Sequence, residues 1–284
     1  MITPKENITG LFGFPIKHSL SPQMHNAAFE KLGLRDWQYQ LFEIPSGQLN
    51  IYVDRIKTEN IRGVNVTIPY KVEIINFLDQ LDPLAKKIGA VNTIKNNQGV
   101  LSGFNTDAPG FLESLEQDLK LPMDNKYQVL IMGAGGAARA ISLILAEKNI
   151  INKLFLYDKL QDKTKDLAKI INKYYNQIFI ETIEKEKDII NIAQSCNLII
   201  NASGIGSSHN VKQSPLPLAA FHNKQYLYDL GYNPSETEFL KLGKAKGAKT
   251  SNGLGMLVRQ GALAFEIFTG KKAPVNIMKQ VVIS

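Results

Sequence analysis

An apolar run, Val129-Leu-Ile-Met132, breaks directly into Gly133-Ala-Gly-Gly-Ala-Ala138 and then into a helical pattern from Ala137 to Glu147. This junction constrains the fold more than any other stretch. A strand that feeds a helix through a glycine-rich turn aims the helix N-terminal amides beyond the strand end. Gly133 permits the tight turn, Gly135 lets backbone N–H groups approach an anion, and Ala138 is small enough for close helix–strand packing. Gly133, Ala134, Gly135, Gly136 and Ala137 are therefore candidates to cradle the pyrophosphate of a dinucleotide. Such turns also occur without a cofactor, so the context decides. A second apolar strand, Leu154-Phe-Leu-Tyr157, ends at Asp158, where an acidic residue can accept hydrogen bonds from an adenosine ribose. A helical stretch from Asp162 to Tyr174, another from Glu184 to Gln194, and Asn197-Leu-Ile-Ile-Asn201 continue the alternation. Short apolar strands alternating with helices predict a parallel, doubly wound sheet.

The remaining chain has its own α/β pattern. Leu11-Phe-Gly13 and Trp37 to Leu41 read as strands. Ser21-Pro22 opens a helix running to Leu32, with Ser21 as N-cap. A helix from Ser46 to Thr58 places Leu49, Val53 and Ile56 on one face. Gly63 to Ile68 is a strand stopped by Pro69, and Asn96-Asn-Gln-Gly99 is a hairpin signal between Val91–Ile94 and Val100–Leu101. A last helix, Gly255 to Phe268, is ended by Gly270 and has no strand partner in the preceding sheet, so it is expected to return to the first domain. The fold class is α/β with two α/β domains. Residues 1–107 plus 254–284 would form an N-terminal substrate domain and 108–253 a Rossmann-type dinucleotide-binding domain, with a cleft between them.

The 284 residues suffice for two cores, and 44% hydrophobic with 21% charged residues is ordinary for a globular chain. The net charge of +7 does not point to nucleic acid, because the lysines are dispersed among acids, as in Glu184-Lys-Glu-Lys-Asp188. A mild basic bias instead suits anionic small molecules. Met1 to Asn7 does not resemble a secretory signal, and no apolar run spans a bilayer. The single cysteine, Cys196, reads as a buried small hydrophobe in a cytoplasmic protein. The four histidines, at 18, 25, 209 and 222, are scattered and suggest no metal site.

Several polar residues at strand ends and loop starts are not required by a core. Ser19 and Ser21 precede a helix, and two hydroxyls with helix amides make a carboxylate receptor; Ser21 alone is explained equally well as an N-cap. Asn65-Val-Thr67-Ile-Pro-Tyr-Lys71 alternates polar side chains on a strand and then puts a lysine in a first helical turn, where the helix dipole disfavours it. Asn92 and Asp107 stand at predicted strand ends. Asp107 reads either as the N-cap of a helix from Pro109 to Leu119 or as the partner of Lys71 in a proton transfer at a substrate oxygen.

Taken together, these segments resemble the shikimate dehydrogenase family over nearly the whole chain. Gly13 to Pro22 resembles its carboxylate-binding loop and Asn65 to Lys71 its catalytic-lysine strand. Gly89 to Thr93, Asn105 to Asp107, Gly133 to Ala138 and Asn252 to Gln260 follow in the family's order. The resemblance implies that Ser19 and Ser21 hold the shikimate carboxylate, with Tyr232 nearby. Lys71 and Asp107 would be the catalytic pair, and Thr67, Asn92 and Gln260 would bind ring hydroxyls alongside Asp107. Leu230 and Gly253 would contact the nicotinamide end. The implied reaction is the reversible reduction of 3-dehydroshikimate to shikimate by NADP or NAD, within chorismate and aromatic amino acid biosynthesis. The implied partner is this small molecule alone, with no nucleic acid and no membrane, in a monomer or homodimer.

The chain departs from the family pattern in three places. Asp158-Lys-Leu160 stands where NADP-using members carry Asn-Arg-Thr. A carboxylate there favours NAD, while Lys159 and Lys163 occupy the places of the family's phosphate-binding basic residues; the family default is NADP. Ala108-Pro109 follows Asp107 where Gly is commoner. Asn201-Ala-Ser-Gly-Ile-Gly206 lacks the usual wording and receives no role. Alternatives are a quinate/shikimate dehydrogenase using NAD, a non-catalytic dinucleotide sensor, and a folate-type dehydrogenase.

Overall fold

A computed structural model describes residues 7–207 and 210–283, so His209 and the segment before Asn7 lie outside the described residues. The chain divides into two compact units, Met1–Gly110 with Val258–Ser284, and Phe111–Leu257.

The first unit is built on β1 (Asn7–Gly13), α1 (Ser21–Lys31), β2 (Trp37–Glu43), α2 (Leu49–Thr58), β3 (Gly63–Val66), the short β4 (Gln80–Leu81), α3 (Pro83–Ile88), β5 (Thr93–Asn97) and β6 (Val100–Phe104), after which α4 (Asp107–Gln117) leads out. Its sheet runs β2-β1-β3-β5-β6-β4. The first three strands are mutually parallel, whereas β5 is antiparallel to both β3 and β6. The β5–β6 hairpin closes through Gln98 and Gly99, both at positive φ (53° and 92°), as the sequence signal requires.

Because strand side chains alternate, adjacent residues of β1 fill different cores. Phe12 packs with Val64, Val66, Ile94 and the α2 residues Leu49, Val53 and Ile56. Leu11 packs with Met24 and Phe29 of α1 and with Val258, Phe265 and Phe268. These last residues belong to α9 (Leu254–Thr269), which α10 (Val275–Ile283) follows. The returning helix thus lands on the first unit's sheet, and fully burying one such phenylalanine stabilises by roughly 1.5–3 kcal/mol.

The second unit carries β7 (Tyr127–Met132), α5 (Gly136–Glu147), β8 (Ile151–Tyr157), α6 (Gln161–Tyr174), β9 (Phe179–Thr182), α7 (Ile189–Ser195), β10 (Leu198–Asn201), β11 (Tyr226–Asp229), α8 (Glu238–Ala245) and β12 (Lys249–Asn252). All six strands are parallel in the order β12-β11-β10-β7-β8-β9. This is the doubly wound arrangement, with the order reversing between β7 and β10.

Four local expectations are corrected. Ser21 is the first residue of α1 rather than its cap; Leu20 occupies the cap position without a side-chain bond, and the Ser21 hydroxyl is engaged by other side chains. Lys71 is not in an α-helical first turn. Its carbonyl accepts the Val91 amide, and only a short 3-10 turn, Glu73–Phe77, follows. Asp107 begins α4 itself, and it is Asn105 Oδ1 that accepts the Ala108 amide. The stretch from Glu184 to Gln194 is helical only from Ile189, after a 3-10 turn at Glu186–Asp188, because its charged beginning has no apolar face to bury.

Candidate active site

In the first unit the site grows from strand ends that lie side by side. The Thr67 amide donates to the Phe12 carbonyl at 2.8 Å and the Phe14 amide to the Ile68 carbonyl at 3.0 Å. The loop carrying Ser19 and Ser21 is thereby bound to the loop carrying Thr67 and Lys71. The peptide bonds Phe14–Pro15 and Ile68–Pro69 are both cis. Ser19 Oγ donates to Ser21 Oγ at 3.2 Å and also accepts the Ser21 amide at 3.2 Å, so the two hydroxyls face one another.

The Lys71 Nζ donates to Asp107 Oδ2 at 2.6 Å, with the two side chains 14% and 6% exposed. A charge-assisted bond so sheltered is screened far less than one at the surface. The other Asp107 oxygen, Oδ1, accepts from Asn92 Nδ2 at 2.9 Å. Asn92 is itself fixed, for its Oδ1 accepts the Thr106 amide at 2.7 Å. Its Nδ2 also reaches Gln260 Oε1 at 3.4 Å. Gly110 makes that approach possible, since a Cβ there would lie 2.8 Å from the Gln260 amide nitrogen. Lys71 and Asn92 hold the Asp107 carboxylate and Gln260 bonds to Asn92, so four separate segments meet here.

Behind these lies a layer that sequence reasoning missed. Asn65 Nδ2 donates to Thr93 Oγ1 at 3.0 Å and to the Asn92 carbonyl at 3.2 Å, while its Oδ1 accepts from the Tyr39 hydroxyl at 2.8 Å. Thr93 Oγ1 donates to Asn92 Oδ1 at 3.1 Å. All four are buried. The only signal for them was the strand alternation that set Asn65 beside Thr67, because threonine and tyrosine within strands read as ordinary β-formers.

In the second unit, Gly133 has φ +103°, and a Cβ on it would lie 2.6 Å from the Ala202 carbonyl oxygen, so no other residue fits. Gly135 differs: a Cβ there would meet no protein atom within 4 Å. Packing alone does not ask for glycine at 135, whereas a group approaching the backbone would. The N-terminus of α5 carries no side-chain cap, so its first amides stay free for an anion. The Ala134 amide is taken, donating to Asp158 Oδ2 at 2.9 Å, and Asp158 Oδ1 accepts the Leu160 amide at 2.9 Å. Lys159 and Lys163 are exposed.

At the ends of β10 and β11, Asp229 accepts from Thr237 Oγ1 at 2.7 Å, the Gly231 amide at 2.9 Å and Asn201 Nδ2 at 3.1 Å. Burial pushes its carboxyl above the usual range, and the three donors oppose that shift. Asp229 thus ties the Asn201 loop to the Leu230–Tyr232 loop. Gly253 packs directly on the Leu230 backbone, and its amide donates to the Gly231 carbonyl at 3.1 Å. Burial also raises the Tyr232 hydroxyl above its ordinary value. Among the described residues, no group of three or more His, Cys, Asp or Glu side chains is placed to hold a metal, and no helix is long and apolar enough to cross a membrane.

Residues 11–94 match the shikimate dehydrogenase substrate binding domain, and residues 253–283 match the shikimate 5′-dehydrogenase C-terminal domain. A curated shikimate dehydrogenase (NADP(+)) of Geobacillus kaustophilus (strain HTA426) is 42% identical over 282 residues, covering 98% of each chain. The chain belongs to the shikimate dehydrogenase family. A crystal structure of a shikimate dehydrogenase in complex with NADP+ superposes with a TM-score of 0.88 at 38% identity, covering 100% of this chain and 96% of that one. The shikimate 5-dehydrogenase of Listeria monocytogenes, in complex with shikimate and NAD, superposes with a TM-score of 0.85 at 34% identity, covering 97% and 96%. Shikimate dehydrogenases are oxidoreductases acting on a CH–OH group, and the alternative of a non-catalytic sensor finds no support among these relatives.

Proposed function

We propose that this chain catalyses the reversible reduction of 3-dehydroshikimate to shikimate with a nicotinamide dinucleotide. The observation that carries the reading is the sheltered Lys71–Asp107 pair, held at both carboxylate oxygens, within a unit that matches a shikimate-binding domain. When bound, the nicotinamide supplies the hydride that reaches the carbonyl carbon. Lys71 Nζ gives its proton to the carbonyl oxygen as the alkoxide forms, and in the reverse direction accepts the proton of the ring hydroxyl. Asp107 directs the ammonium and, as a carboxylate, accepts a neighbouring ring hydroxyl. Thr67, Asn92 and Gln260 hold the remaining hydroxyls. Ser19 and Ser21 donate to the ring carboxylate, and Tyr232 is a further substrate-binding candidate whose hydroxyl burial keeps protonated.

The dinucleotide-binding role rests on the free amides of α5, the uncrowded backbone at Gly135, and Gly133, Gly136 and Ala137 around them, with Leu230 and Gly253 at the nicotinamide end. Ala134 serves this site through the bond of its amide to Asp158, which closes that amide to the pyrophosphate. Asp158 follows β8 at the position from which an adenosine ribose is read, and its charge would repel a 2′-phosphate, which favours NAD; Lys159 and Lys163 would compensate in part and let NADP bind. The buried thiol of Cys196, pushed up to about 12 by desolvation, fits the cytoplasmic setting of such an enzyme. The test is absorbance at 340 nm with shikimate or quinate against NAD+ and NADP+. Faster turnover of shikimate than of quinate is expected, and no shikimate-dependent absorbance with either cofactor would refute the reading.

A further inference from the structure

Tyr39 is held more tightly than a core aromatic needs to be. Its backbone amide donates to Asn26 Oδ1 at 2.8 Å and its carbonyl accepts Asn26 Nδ2 at 3.1 Å, so a side chain of α1 seals the outer edge of β2 at this residue. Its ring stacks on that of His25, with centroids 4.3 Å apart and planes 8° apart. Its hydroxyl, in a side chain with 2% exposure, lies between two partners: Ser21, and Asn65 Oδ1 at 2.8 Å. Phenylalanine would fill the same volume without the cost of desolvating a hydroxyl. The hydroxyl therefore calls for an explanation beyond packing.

The partners supply one. Ser19 donates to Ser21, and Ser21 contacts the Tyr39 hydroxyl, which donates to Asn65. Asn65 donates to Thr93, Thr93 to Asn92, and Asn92 to Asp107, whose other oxygen holds Lys71. Hydrogen bonds run from the Tyr39 hydroxyl through Asn65, Thr93 and Asn92 to the ion pair, buried over most of their length, and the same hydroxyl faces Ser21 of the serine pair. Tyr39 links α1, which begins at Ser21, to the strands that carry the other end, through Asn26 at its backbone and Asn65 at its hydroxyl. Hydrogen bonds in such chains polarise and orient one another. A rigid ring substrate presents its carboxylate and its reacting hydroxyl at a fixed separation, so the two receptors must keep a fixed separation too.

We propose that Tyr39 is a positioning residue that sets the paired serines at a fixed distance from the Lys71–Asp107 pair, so that the ring carboxylate and the reacting hydroxyl are recognised as one unit. This rests on the reading of shikimate as the substrate. Tyr39→Phe keeps the ring and its stack on His25 and removes only the hydroxyl. Losing one hydrogen bond that orients a carboxylate receptor is expected to raise the KM for shikimate, and its Kd by calorimetry, roughly 5–20-fold. The KM for the dinucleotide stays unchanged and kcat stays within about threefold. Because Tyr39 acts through Ser21, the shikimate penalty of Tyr39→Phe combined with Ser21→Ala falls short of the product of the single penalties. A variant with lowered Tm but unaltered shikimate Kd and KM, beside an active parent, would reduce Tyr39 to a structural residue and overturn the inference. So would fully multiplicative penalties. A parent protein that neither binds nor turns over shikimate would instead overturn the substrate reading beneath it.

Discussion

Asn92 Nδ2 stands 2.9 Å from Asp107 Oδ1, on the opposite side of the carboxylate from the lysine it pairs with. The carboxylate is therefore fixed in rotation as well as in place, and the Lys71 ammonium has one direction in which to point. Removing that ammonium by Lys71→Ala should lower kcat by about 10²–10⁴-fold, the span of a lost general acid–base group, with little change in KM. Steady-state rates with shikimate check this, and undiminished turnover would assign the proton transfer to another group.

Ser19 and Ser21 face one another across 3.2 Å. Each hydroxyl removed costs one hydrogen bond to a charged carboxylate. Ser19→Ala and Ser21→Ala should therefore each raise the KM for shikimate on the order of tenfold while leaving the KM of the dinucleotide unchanged. A folate-type dehydrogenase would have no use for this pair, so unaltered shikimate kinetics in both variants would count against a ring-carboxylate substrate.

Asp158 joins the glycine-rich turn to the loop after β8 through two amides. Asp158→Ser removes a charge that repels a 2′-phosphate. The ratio of kcat/KM for NADP+ to that for NAD+ should rise by about tenfold or more, because like charges a few ångströms apart at a partly sheltered site repel by at least that much. NAD+ itself should also bind less well, since the Ala134 amide loses its acceptor. A ratio that stays constant would show that the carboxylate does not read the ribose.

His25 is completely buried, with neither ring nitrogen hydrogen-bonded among the described residues, and desolvation lowers its pKa from 6.5 to about 3. Below pH 6.5 the unfolded chain takes up a proton that the folded chain refuses, so stability falls as the medium is acidified. The loss continues to about pH 3, at about 1.4 kcal/mol per pH unit, or about 2 kcal/mol by pH 5. His25→Phe keeps the stack on Tyr39 and cannot titrate. Urea unfolding at pH 7 and pH 5 should show a smaller acid loss in the variant by that amount; equal losses in both proteins would locate the acid sensitivity elsewhere.

What could be read from the sequence followed from how local the governing physics is. The Asn96–Gly99 turn and the Gly133 turn were legible because positive φ restricts residue choice at one position. The helix 255–268 was legible from the glycine that ends it, Gly270, which takes up positive φ (70°). The start of α1 differs by one residue because Ser21 has the chemistry of a cap yet turns its hydroxyl to Ser19. Lys71 drew notice for a helix dipole that is not there. What makes it matter is Asp107, 36 residues away. Tyr39, Thr93 and Asn65 were obscure for the same reason: their partners are distant in sequence, and within a strand each resembles a residue chosen for its shape.

The helix α9 has a consequence for how the polypeptide comes off the ribosome. Phe265 and Phe268 fill the core against Leu11, Met24 and Phe29, more than two hundred residues earlier in translation order. Residues 111–257 emerge before that filling is available, so they can acquire their structure while α1 covers that face of the N-terminal sheet without α9. Until α9 is made, that face stays partly open to chaperones and to aggregation, which makes the preceding interval the vulnerable one in the life of this protein.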